Sequence, residues 1–179
     1  MTNGTRSEED ERIRSYLVSQ AERADVLALW PRVVADRTSF LLALDRVTDD
    51  QERWRPPSDN GDSWSILEVA QHMLLWEKSV TDIVEALAAG GSAEVPMPGA
   101  ADATSGTSLA EIRAELTREA VRFASFPERL PFGADLTAVA EHPQFGPLNH
   151  RAWFLFARLH DGDHLRQIEA IKGASGYPS

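Results

Sequence analysis

Residues 149–172 read NHRAWFLFARLHDGDHLRQIEAIK. Wound as one helix of about 3.6 residues per turn, the stretch places Trp153, Phe156, Ala157, His160, His164, Gln167 and Ile171 on a shared face. That apolar phase holds from Trp153 through Ile171, so the face turns inward and takes two imidazoles with it. His160 and His164 have i, i+4 spacing, which sets their side chains a few ångströms apart. A buried imidazole needs partners for its ring nitrogens, and two side by side are hard to satisfy with protein groups alone. A shared metal ion satisfies both. Gly162 costs about 1 kcal/mol relative to Ala in a helix interior, and a break at H-D-G-D would undo the spacing. The unbroken phase favours a continuous helix, capped by Asn149 and ending near Lys172 and Gly173. D-G-D is too short for an EF-hand loop.

The same helical patterning extends backward through the chain. Ser7 followed by Glu8, Glu9 and Asp10 reads as an N-cap with acids in the first turn, opening a helix expected to reach about Ala28. Pro31 suits the start of a second helix, whose inward face (Val33, Val34, Phe40, Leu41, Leu44, Val47) runs to about Thr48. The Pro-, Asp- and Gly-rich stretch 49–62 reads as a loop. Asp62 or Ser63 can cap the next helix, with Trp64 leading in. There Ile66, Val69, Met73, Trp76, Val80, Ile83, Val84 and Leu87 recur at three- and four-residue steps up to Gly90-Gly91. A Pro/Gly/Ala/Ser-rich loop follows to about Thr107. Ser108 and Glu111 have capping-box spacing and open a helix through about Phe123. Residues 125–148 read as a long irregular connection, without strand alternation. The expected architecture is an all-α four-helix bundle over residues 26–173, preceded by a helical extension (1–25) and followed by a short tail (174–179).

Composition narrows the function. The 179 residues carry 18 Lys and Arg against 28 Asp and Glu, a net charge of −10. Such a surface repels nucleic-acid backbones and anionic lipids unless a basic patch offsets it. The basic clusters, Arg12 with Arg14 and Arg53 with Arg55, are diluted by carboxylates. Neither nucleic acid nor membrane is therefore an expected partner. There is no cysteine, which rules out disulfides, thiolate ligands and a cysteine nucleophile from this chain. With no apolar signal core and no long apolar run, the expected location is the cytoplasm.

His72 is the third candidate ligand, at the edge of the apolar stripe shared by Trp76 and Ile83. A bundle can bring it opposite His160 and His164. Three imidazoles hold a divalent ion and leave a position open, where bound water loses a proton more readily than in bulk. Other roles stand beside this one: a helix-edge histidine is often a surface or core residue, and an HxxxH pair arises by chance. Glu77, inside the stripe, can orient a ligand histidine or act as a general base; it can equally pair with a buried arginine. Trp76 and Trp153 suit a core or a pocket wall that contacts a cofactor. Gln167 can hydrogen-bond a ligand. His142, in the loop, can line a pocket but is expected to face solvent, and His150, after the N-cap, is expected to face outward.

The segments WSILEVAQHMLLWE (64–77), HPQFGPLNHRAW (142–153) and LHDGDHLRQI (159–168) together resemble the DinB-like superfamily, the DinB/YfiT-like metalloenzymes, over roughly Val26 to Lys172. The resemblance implies an up-down-down-up bundle, a divalent metal on His72, His160 and His164, and a homodimer. Relatives in that superfamily include S-transferases that use low-molecular-weight thiols. The expected function is a metal-dependent enzyme, with zinc or nickel activating such a thiol or water for transfer or hydrolysis on a small-molecule substrate. The alternative is a non-catalytic metal-binding stress-response bundle. A third possibility is an interaction module without metal.

Overall fold

The computed structural model describes residues 7–58, 63–95, 107–131 and 133–179. Among them the chain is mostly helical. In order come α1 (Glu8–Arg23), α2 (Val26–Ala43), α3 (Asp49–Arg53), α4 (Ile66–Ala88), α5 (Leu109–Ala124), α6 (Phe126–Arg129), β1 (Val139–His142), β2 (Gly146–Asn149) and α7 (His150–Gly173). α7 packs against both α2 and α4, while α5 closes the other side against the same two helices. α1 lies on α7 and β2, burying Leu17 and Ala21 completely.

Capping chemistry fixes most boundaries. Ser7 with Asp10, and Ser108 with Glu111, form reciprocal capping boxes. Asn149 accepts from the N–H groups of Arg151 and Ala152 and starts α7, which continues through Gly162 without a break. Four expectations need correction. The first helix stops at Arg23 rather than near Ala28, because the Asp25 carboxylate accepts the Ala28 N–H at 2.8 Å and begins α2 there. Pro31 consequently lies inside α2. Within the expected loop 49–62, Thr48 and Gln51 cap the short helix α3. The cap of α4 is Ser65, boxed with Glu68, rather than Ser63; Asp62 falls outside the described residues, as does most of the stretch before Thr107.

The fourth correction concerns residues 125–148. They hold α6 and an antiparallel hairpin that pairs Val139 with Asn149 and His142 with Gly146. Gly146 has φ +73°, a conformation that suits glycine at the mouth of a tight turn. The inward residues of β1 are Ala140 and His142, one small and one polar. Hydrophobicity along the strand therefore does not alternate, although burial does.

The core consists of two apolar clusters. One gathers Val33, Trp76, Val80, Phe123, Trp153, Phe156 and Ala157; the other gathers Phe40, Val69, Met73, Leu116, Ile168 and Ile171. Along α4, His72 lies between Val69 of one cluster and Trp76 of the other. Along α7, His160 and His164 fall between Ala157 and Ile168, and along α2, Arg37 falls between Val33 and Phe40. A polar layer thus crosses the molecule where the clusters meet.

Candidate metal centre

His72, His160 and His164 meet in that layer, and their ligand atoms all lie within 4.8 Å of one another. His160 Nε2 stands 3.2 Å from His164 Nε2 and 3.4 Å from His72 Nε2. Two nitrogens bound at about 2.0–2.1 Å to one tetrahedral ion stand roughly 3.3–3.4 Å apart. These two separations match pairs of nitrogens that share one divalent cation, and the three histidines could hold such an ion.

The tautomer of one ligand follows from its neighbour. Gln167 Oε1 can only accept, so His164 Nδ1 donates to it at 2.7 Å and Nε2 keeps its lone pair. Burial, and then the adjoining rings of His164 and His72 and the Arg37 guanidinium, hold His160 well below the ordinary imidazole range. Burial also lowers His164, while the Gln167 hydrogen bond opposes the shift. Both are therefore neutral at pH 7, the form that ligates.

Aromatic rings wall the site. Trp64 sets an edge against His72 at 5.3 Å, and Trp76 lies 5.2 Å from His160, with Phe156 at 5.7 Å. Trp153 is fully buried and donates its indole N–H to the Ala140 carbonyl, tying α7 to the hairpin.

Glu77 has the arginine partner. Its carboxylate sits 3.1 Å from Arg37, whose Nε donates to Asp161 at 2.9 Å; all three side chains are buried. Among the described residues no hydrogen bond links Glu77 to a ligand histidine. Arg37 also packs over the Phe123 ring at 4.9 Å. Sequence reasoning missed Arg37 and Asp161. Both carried a signal: Arg37 stands in phase with Val33 and Phe40, and Asp161 with Phe154, Ala157 and Ile168, so each is a charge on an inward stripe.

The expectation that His142 and His150 face solvent is overturned. His150 is 2% exposed, as the first residue of α7 beside Val26, Phe126 and Leu130. His142 is 4% exposed, because the hairpin folds it against Trp76, Phe145, Trp153 and Phe156. Burial pushes its pKa down to about 4.

A mostly helical chain with three histidines converging between two of its long helices defines a class of candidate metal-binding proteins. The profile of the DinB superfamily matches residues 32–168, and the chain belongs to that superfamily. Comparison with curated proteins and with solved structures gives no match. Among the described residues, no helix is long and apolar enough to cross a membrane.

Proposed function

We propose that the protein is a metal-dependent enzyme whose divalent ion, zinc or nickel, is held by His72, His160 and His164. The observation that carries this reading is the convergence of three Nε2 atoms at ligand spacing on two facing helices. When bound, such an ion lowers the pKa of a thiol or a water and so supplies a nucleophile at neutral pH. The chain contributes no sulfur nucleophile of its own. A low-molecular-weight thiol therefore enters from outside in the transfer reaction, and water takes its place in hydrolysis of a small molecule. Gln167 fixes the His164 ring, and Trp64, Trp76 and Phe156 present an apolar wall to whatever enters. The up-down-down-up course of the helices and a homodimeric assembly belong to the same reading.

Elemental analysis of the purified protein tests the site. Wild type is expected to carry about one equivalent of zinc or nickel per chain, and His160→Ala/His164→Ala none. Equal metal content in the two proteins would overturn the assignment. Turnover assays with low-molecular-weight thiols then separate transfer from hydrolysis.

A further inference from the structure

A fourth histidine packs on two of the rings that wall His160, and its hydrogen bonding is incomplete. The His142 ring folds back over its own turn, where Nδ1 accepts the backbone N–H groups of Gln144 at 3.2 Å and Phe145 at 3.3 Å. Nδ1 is thereby an acceptor, so the neutral ring carries its proton on Nε2. That nitrogen is buried and finds no protein acceptor among the described residues.

The ring is not free to turn and seek one. Phe145 stacks on it at 4.5 Å, and Phe156 meets it edge-on at 4.5 Å. Trp76 lies parallel at 6.1 Å. Trp76 and Phe156 are the same two rings that wall His160. The His142 ring therefore shares an aromatic wall with the three-histidine site. A buried donor without an acceptor is unfavourable, and the geometry that holds it there also holds it ready for one.

We propose that His142 binds substrate: its Nε2–H donates a hydrogen bond to an anionic acceptor atom of the small molecule that the three-histidine site takes. The inference rests on the metal-site reading above and adds a property of the ligand, a negatively charged acceptor of the carboxylate class. His142 is a donor in this role, not a metal ligand, since its other ring nitrogen is engaged by the turn.

Cobalt(II)-loaded protein, titrated with acetate and followed by its visible absorption, tests this. Cobalt affinity is expected to agree within about twofold between wild type and His142→Phe, while acetate affinity falls at least about tenfold in the variant, the loss typical of a hydrogen bond to a charged group. Pyridine, a neutral ligand with no acceptor left once bound, is expected to bind both proteins alike. His142→Gln places an amide N–H at a similar reach and loses the same Nδ1 contacts, so it should keep acetate affinity within about threefold. Equal acetate affinity in wild type and His142→Phe would overturn the proposal. So would an equal loss in His142→Gln, which would trace the effect to the hairpin. Loss of cobalt from His142→Phe would make His142 part of the metal shell instead. Failure of wild type to take up cobalt is read separately and overturns the metal-site reading together with this one. Long-range proton–nitrogen NMR of the metal-free protein should show His142 as the Nε2–H tautomer; the Nδ1–H form would also reject the assignment.

Discussion

Gly162 sits between His160 and His164 in an unbroken helix, and a methyl group built there meets only the Arg166 guanidinium, 3.6 Å away. Nothing in the packing demands glycine. Gly162→Ala should therefore raise stability by up to about 1 kcal/mol in urea unfolding, with metal content unchanged; a loss of stability would mean that the helix needs freedom at this point. Gln167 is the opposite case, a polar residue whose hydrogen bond orients the candidate ligand His164. Gln167→Leu is expected to weaken metal affinity about 10- to 100-fold while the helix stays intact, as competition with a chelator can measure. At this scale the two histidines of α7 were legible, because i, i+4 spacing and the phase of one helix suffice to place them. His142 and His150 were not. Their burial depends on a hairpin and on how it seats the start of α7, neither of which local hydrophobicity reveals.

Elements were legible where the chain carries its own punctuation. Ser7, Ser108 and Asn149 announce their helices by side-chain oxygens that take up the first free N–H groups. Asn149 also closes β2, so a single residue ends the hairpin and begins the helix that bears His160 and His164. Asn149→Ala should cost about 1 kcal/mol by urea unfolding, typical of a lost N-cap. An unchanged midpoint would show that the hairpin alone sets the start of α7. The missed elements share one cause. α3 is too short to display a period, and β1 buries an alanine and a histidine, so neither carries the apolar signature by which helices and strands are read. Asp25 can cap a helix as readily as it can sit in one, and Pro31 drew the expected boundary too late.

Across the whole molecule, the pairing of α4 with α7 could not be derived from either helix alone; only the presence of inward polar residues on both hinted that they meet. The same holds for the buried trio of Arg37, Glu77 and Asp161, one cation between two carboxylates. Burial, set against attraction by Arg37 and reinforced by Asp161 and Glu119, pushes the Glu77 carboxyl up to about 8 from 4.5. The folded chain thus keeps a proton that the unfolded chain releases. This contribution to stability is full below pH 4.5 and drains away as pH rises to 8. His142, His150, His160 and His164 lie below 6.5 through burial and act in reverse, withdrawing stability as pH falls below that value. Between pH 6.5 and 8 the acid therefore dominates. In metal-free protein the urea midpoint should decline across that window for wild type and decline less for Glu77→Gln, where Asp161, also raised by burial, still contributes; parallel declines would show Glu77 already ionised in the fold.

The contact between His72 and His160 joins positions 88 residues apart in the chain. An ion shared by the three histidines would act as a removable clasp on that long loop, spanning α5, α6 and the hairpin. Closing such a loop in the unfolded chain is entropically costly, and a ligand that recognises only the closed form adds its binding free energy to the fold. The supply of metal would then bear on the lifetime of the protein: loaded chains would outlast starved ones.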